Sequence, residues 1–252
     1  MDPKPNKMRD KPTTQIYANY TSEDFKVWET LFNRQMETLQ GRVAEEFLEA
    51  LKIIGFNAKK IPDFKDINQI LSDSTGWEII TVPNISPAKE FFQFLANRQF
   101  TATCWLRSMD ELDYLEEPDM FHDVFAHTPL LCNTEYTRFF QKMGALALKY
   151  LDREDLLKKL QRLYWFTIEF GLIRNNGDLK IYGAGIISSK GETEFALSKK
   201  SVKHRYHVEK IFQHDFRTDI IQEEYYVIDS FEQLTDSFVE IEALLEQAVL
   251  TP

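Results

Sequence analysis

Residues 118–131 read PDMFHDVFAHTPLL and set His122 and His127, two of the chain's five histidines, five positions apart. On an ideal α-helix, at ~100° per residue, that gap turns the two side chains ~140° from each other, so they do not share a face. A zinc-protease helix spaces its histidines four apart and carries a Glu as general base between them. Here Asp123 follows His122 and the spacing is wrong for that reaction. Two readings remain. In one, a single imidazole is buried and hydrogen-bonded while the other faces solvent. In the other, the helix gives way: Pro129 disfavours the α conformation at Thr128 and removes a backbone donor. A helix terminus near His127, or an i→i+5 π-turn, then brings the two rings together.

Two imidazoles among Met120, Phe121, Val124, Phe125, Leu130 and Leu131 make half of a two-histidine, one-carboxylate site. On one face of Fe(II), such a triad leaves positions open for O2 and substrate. Spacing does not choose the carboxylate among 40 acidic residues. YWFTIEFGL (164–172) offers Glu169 alone in an apolar, aromatic stretch, where a carboxylate is costly unless paired, protonated or bound to a cation. A buried Glu bonded to an arginine such as Arg107, or to a tyrosine, is an equal alternative. His204, His207 and His214 lie in the charged run HRYHVEKIFQH without a known zinc spacing, and read as a surface segment.

Around this stretch the pattern is mostly helical. Residues 23–39 space Phe25, Trp28, Phe32, Met36 and Leu39 by three and four, and residues 42–56 repeat this with Val43, Phe47, Leu51 and Ile54. Gly41 ends or kinks the first helix and Gly55 caps the second. Pro62 and Asp63 open a third helix. In SPAKEFFQFLANRQF (86–100), Ser86 is the expected N-cap, with Pro87 at the first helical position. Further helices are expected over 134–150, over a long central 153–174, and over 231–248. Strand character is expected in WEIITVPNI (77–85), TATCWLRS (101–108) and EEYYVIDSF (223–231), with a turn and one or two strands in 175–192. The fold class is therefore mainly α with a small β component (α+β). Residues 1–15, polar and Pro/Lys-rich, read as a disordered arm, and 16–252 as a single domain.

The totals bound the function. The 252 residues carry a formal net charge of −10, which argues against a nucleic-acid partner. No apolar run approaches the ~18 residues of a membrane span, and the N-terminus has no secretory h-region. Two cysteines outside any CxxC pair fit a reducing, cytoplasmic setting. The 20 phenylalanines fit an aromatic core or a pocket for a flat ligand.

EEPDMFHDVFAHTPLL (116–131), LYWFTIEFGL (163–172), IYGAGIISSKGE (181–192) and YYVIDSF (225–231) resemble, in order, motifs of the pterin-dependent aromatic amino acid hydroxylases, with bacterial-type spellings of the phenylalanine 4-hydroxylase branch. WETLFNRQ, GRVAEEFLEAL, IPDF and TGWEI resemble the same family's N-terminal helices, so the likeness covers about residues 17 to 235. It implies one catalytic domain that uses Fe(II), O2 and tetrahydrobiopterin or another reduced pterin to convert L-phenylalanine to L-tyrosine. Tryptophan or another aromatic amino acid is the alternative substrate. It implies iron ligation by His122, His127 and Glu169. It places Val82, Ile85, Phe91, Asp123 and Tyr164 about the pterin, and Arg107 on the substrate carboxylate, a role suited to a guanidinium fork. Tyr114, Pro118, Trp165, Phe170, Gly185 and Ser188 would line the substrate pocket. The chain has no room for the regulatory domain and tetramerisation helix of animal members, so a monomer with only small-molecule partners is expected. Ala126 and Thr128 depart from the family's usual Gly and frequent Val, and Ala adds a methyl where the backbone bends. Ser86 and Ala88 also differ from common pterin-loop residues.

Overall fold

The computed structural model describes residues 10–250 other than Tyr114 and Glu116. Helices α1 (Ser22–Leu39), α2 (Glu45–Ile54) and α3 (Phe64–Ser74) come first, followed by β1 (Glu78–Thr81), α4 (Ala88–Ala96) and β2 (Gln99–Ala102). Two special segments follow: a π-helix, Phe121–His127, and a 3-10 turn, Pro129–Cys132. Then come α5 (Thr134–Leu148), α6 (Glu154–Tyr164) and a second π-helix, Trp165–Glu169. The remainder is β3 (Leu172–Asn175), β4 (Asp178–Ile181), α7 (Ala184–Ile187), α8 (Lys190–Ala196), β5 (Val202–Arg205), α9 (Val208–Gln213), β6 (Glu224–Ile228), α10 (Phe231–Asp236) and α11 (Phe238–Leu250). Strands β1 and β2 form a parallel pair, and the other four form a sheet ordered β4-β3-β6-β5. The expected fold class, mainly α with small sheets, is what the chain adopts. No helix among the described residues is long and apolar enough to cross a membrane.

The local chemistry explains most boundaries. Thr21 and Asp24 form a capping box on α1, satisfying two otherwise orphaned backbone donors. Asp63 caps α3 through Lys65 N–H, and Gly55 ends α2 with φ 76°. Asn176 and Gly177, both at positive φ, make the two-residue turn between β3 and β4 that such a twist requires.

Several expectations are corrected. Pro87 rather than Ser86 precedes α4, and no side chain caps it. The strand in 101–108 stops at Ala102, because Thr103 N–H is taken by the Asp123 carboxylate at 2.7 Å instead of a neighbouring strand. The helix expected over 153–174 ends at the second π-segment and gives way to β3. Residues 184–187 and 190–196 are helical, since Tyr182 and Gly183 N–H both turn back onto Gly171 C=O and end β4. The last helix is divided at Ser237, whose hydroxyl donates to Leu234 C=O and pairs with Tyr206. The expected arm over 1–15 falls partly outside the described residues, but its end is tied down. Lys11 pairs with Glu117, and Gln15 bonds Pro62 C=O at 2.9 Å and Phe64 N–H at 2.7 Å.

The site rests on an aromatic wedge. Phe121 and Phe125, one turn apart on the first π-helix, stack at 4.6 Å. Trp28 and Phe32 of α1 and Phe47 of α2 meet them edge-on. All five side chains are buried; burying each stabilises the fold by roughly 1.5–3 kcal/mol. The opposite side of the same segment is left facing inward with its histidines.

Candidate metal centre and its cavity

His122 and His127 both lie on the first π-helix, where the wider turn brings their Nε2 atoms to 3.3 Å. Glu169 ends the second π-helix, whose i→i+5 bond, Phe170 N–H to Trp165 C=O, measures 2.9 Å. Its carboxylate reaches His127 Nε2 at 3.0 Å and His122 Nε2 at 3.6 Å. Among the described residues these three form the one group of histidine, cysteine or acidic side chains spaced to hold a metal ion. Ala126 is buried and does not adopt positive φ, so its methyl is accommodated without backbone strain. Thr128 uses its hydroxyl, donating at 3.3 Å to the Asp123 carbonyl of the widened turn.

The chain approaches itself closely behind Glu169. A Cβ on Gly171 would fall onto the Thr167 carbonyl and the buried Tyr182 ring. Only glycine lets the strand leave the π-turn at that point.

A hydrogen bond fixes the ligating atom of His122. Ser188 donates its hydroxyl proton to Ala184 C=O at 3.0 Å, so it accepts Nδ1–H from His122 at 2.9 Å. The His122 lone pair then sits on Nε2, facing the other two groups. Burial pushes His122 down to about 4, so the ring is neutral at pH 7. Burial raises Glu169, but the two imidazoles and the Tyr164 hydroxyl outweigh it and leave the carboxyl at about 2. A neutral imidazole and an ionised carboxylate are the protonation states that ligation needs.

These groups open onto a cavity of about 950 Å3. Val82, Ile85, Phe91, Asp123, Tyr164, Arg107, Pro118, Trp165, Phe170, Gly185 and Ser188 all line it, as do the three convergent residues. Tyr114 lies outside the described residues. Phe91 meets Tyr164 edge-on at 5.2 Å. Burial raises Asp123 to about 7, against two bonds from the Thr103 N–H and hydroxyl. Arg107 does not neutralise Glu169: it is held in a fork by Asp119, with Nε and Nη2 each at 2.9 Å from a carboxylate oxygen. Asp119 is fully buried and also accepts Arg107 N–H and His122 N–H. Asp119 and Thr103 were not foreseen as site residues. Asp119's position beside Pro118, three before His122, was the available signal.

The family profile of biopterin-dependent aromatic amino acid hydroxylases matches residues 8–249. The chain belongs to this family. The phenylalanine-4-hydroxylase of Ralstonia nicotianae is 46% identical over 224 residues, 88% of this chain and 71% of that one. The Pseudomonas aeruginosa phenylalanine-4-hydroxylase is 36% identical over 240 residues, 95% of this chain and 91% of that one. The crystal structure of Chromobacterium violaceum phenylalanine hydroxylase with bound iron(III) and 7,8-dihydrobiopterin matches with TM-score 0.86 at 42% identity, over 92% of this chain and 85% of that one.

For a hydroxylase of this family, iron and a pterin are the groups to test against these residues. Adjacent corners of an octahedron with bonds of ~2.1 Å lie ~3.0 Å apart. The two imidazole Nε2 atoms are 3.3 Å apart, and the Glu169 carboxylate offers Oε1 at 3.0 Å from His127 and Oε2 at 3.6 Å from His122, separations of that order. With His122 Nδ1 already protonated, two rings and a carboxylate converge with more lone pairs than protons, which a cation satisfies. Phe91 lines the same cavity with an aromatic ring and Asp123 with a carboxyl group, so its lining suits a flat, hydrogen-bonding bicycle.

Proposed function

We propose that this hydroxylase is a phenylalanine 4-monooxygenase, converting L-phenylalanine to L-tyrosine with O2, Fe(II) and a tetrahydropterin. The observation that carries it is the pairing, in one aromatic-lined cavity, of the His122, His127 and Glu169 cluster with a buried arginine set in place by Asp119. The curated relatives, named phenylalanine-4-hydroxylases, favour phenylalanine over tryptophan. His122, His127 and Glu169 would hold the iron. Val82, Ile85, Phe91, Asp123 and Tyr164 would hold the pterin. When bound together, iron and reduced pterin supply the electrons that activate O2 for attack on the aromatic ring.

The chain's own residues then bind and orient. Asp119 occupies two of the five guanidinium N–H groups of Arg107, leaving others to meet a substrate carboxylate. Trp165, Phe170, Pro118 and Gly185 shape the slot for the benzene ring, and the apolar walls exclude water from it. Ser188 holds the His122 ring in one tautomer. Glu169, ionised and facing both imidazoles, is a ligand and not a base. The two free cysteines, Cys104 and Cys132, support placement in the reducing cytoplasm.

The test is tyrosine formation from phenylalanine with Fe(II), tetrahydropterin and O2, omitting each in turn. Each omission should abolish the product, and so should Glu169→Gln in the complete mixture. A complete mixture without tyrosine refutes the assignment.

A further inference from the structure

Trp165 forms part of the cavity wall, packed against Phe216 at 4.3 Å and Phe170 at 4.6 Å. Its indole N–H leaves the cavity and donates to Gln222 Oε1 at 3.0 Å. Gln222 lies on the segment before β6, 57 positions away in sequence, and is buried. Its amide has one workable orientation. Nε2 donates to Glu224 C=O at 2.8 Å, and a flipped amide would set a donor against the indole donor and an oxygen against that carbonyl.

The backbone of the same residue is fixed as well. Gln222 N–H donates to Glu192 Oε1 at 3.0 Å, and Gln222 C=O accepts the Tyr225 hydroxyl at 2.5 Å. Tyr225 Oη in turn lies 3.0 Å from Glu192 Oε2. Glu192 is on α8 and Tyr225 on β6, so the glutamine is clamped between two elements before it reaches the indole. Both polar atoms of its side chain and both of its backbone are engaged.

We propose that Gln222 is the positioning residue for Trp165, and that through this one hydrogen bond it sets how tightly the cavity grips the substrate's aromatic ring. The proposal rests on the reading that the cavity takes an aromatic amino acid. Phe216 lies flat on the indole at 14° and Phe170 packs tilted at 39°; such apolar contacts resist sliding in the ring plane only weakly, and a hydrogen bond to the indole edge removes that freedom. Trp165 thus presents the substrate with a wall whose position is decided outside the cavity.

The substitution Gln222→Leu keeps the bulk and removes the acceptor for the indole, along with the donor to Glu224 C=O, a loss that both backgrounds below share. Losing one hydrogen bond of this kind is expected to raise KM for phenylalanine roughly fivefold, with kcat falling less than twofold, since no group at the reacting ring is touched. In a Trp165→Phe background the same substitution should leave KM within about twofold, because no indole N–H remains to be held. A KM change of equal size in both backgrounds overturns the proposal, as does no change in either. An independent readout needs no turnover: the 15N-indole resonance of Trp165 should exchange its proton faster and shift upfield in Gln222→Leu, and an unchanged signal also overturns the proposal. If that resonance responds to Gln222→Leu but wild-type protein neither binds phenylalanine nor makes tyrosine, the positioning stands while the substrate reading falls.

Discussion

Replacing Asp119 by asparagine removes one negative charge from the centre of the site and changes one atom. Its two oxygens accept four donors: Arg107 N and Nε on one, Arg107 Nη2 and His122 N on the other. Whichever way the new amide faces, two of those N–H groups meet another donor. The guanidinium, only 9% exposed, also loses its counter-charge. Breaking a buried pair from one side costs about 3–5 kcal/mol, and in a domain of this size each kcal/mol moves Tm by about 2–4 °C. A fall in Tm of about 10 °C is therefore expected. KM for phenylalanine should rise at least about tenfold, because Arg107 is no longer held to receive the carboxylate. Thermal unfolding followed by circular dichroism and steady-state tyrosine formation measure the two effects. Burial raises the Asp119 carboxyl, but Arg107 outweighs it and holds it below the usual carboxylate range. The pair's contribution is thus present above the unfolded carboxyl pKa and lost as pH falls through the depressed folded value, so the Tm gap between wild type and variant should close in acid. A variant melting within 2 °C of wild type at neutral pH, with KM within twofold, would refute the assignment of both roles to Asp119.

Three further outcomes are expected. Ser188→Ala removes the acceptor that fixes the His122 tautomer, so Fe(II) affinity should fall roughly tenfold or more; a titration giving wild-type affinity removes Ser188 from this role. Burial raises Glu192 to about 7, so its contribution to stability is full below the unfolded pKa near 4.5 and is lost as pH rises through 7, a change of about 3 kcal/mol. Glu192→Gln should flatten that slope in denaturant titrations between pH 5 and pH 8, and an unaltered slope counts against it. Gly171→Ala drives a methyl into the Thr167 carbonyl and the Tyr182 ring, which should cost about 1–3 kcal/mol and reduce bound iron per chain; wild-type values for both would show that the contact yields freely.

The parts of this protein that were legible in the sequence are those governed by neighbours along the chain. The amphipathic spacing of Trp28, Phe32, Phe47 and Leu51 specified α1 and α2, and of the two ways to unite His122 and His127 the chain takes the π-turn, while Thr128 keeps helical φ −64° and ψ −37° despite Pro129. What depended on distant partners was harder to foresee. TATCWLRS has strand-like residues throughout, yet its pairing ends at Ala102 because a carboxylate 20 positions on takes the next N–H. The stretch through 153–174 has continuous helical periodicity, and nothing in it announces that Gly171 must slip past Tyr182. The family resemblance placed Arg107 on the substrate carboxylate, but Asp119, which holds its guanidinium, emerges only once the loop is closed. Glu169 could not be chosen over its rivals by spacing; the family motif singled it out, and the convergence with both histidines now gives that choice a physical basis.

The two π-segments have an implication for how such a site can change. Each is a helix carrying one residue more than an α-turn accommodates, and each carries part of the histidine–carboxylate cluster. Excising a single residue from either would let the backbone relax into the commoner and more favourable register. It would also swing every side chain beyond the excision by about 100°, sending a ligand out of the cavity. The widened turns therefore set two things at once, which side chains meet in the cavity and which are packed behind it: a chain shortened by one residue at either should lose metal binding and core packing together.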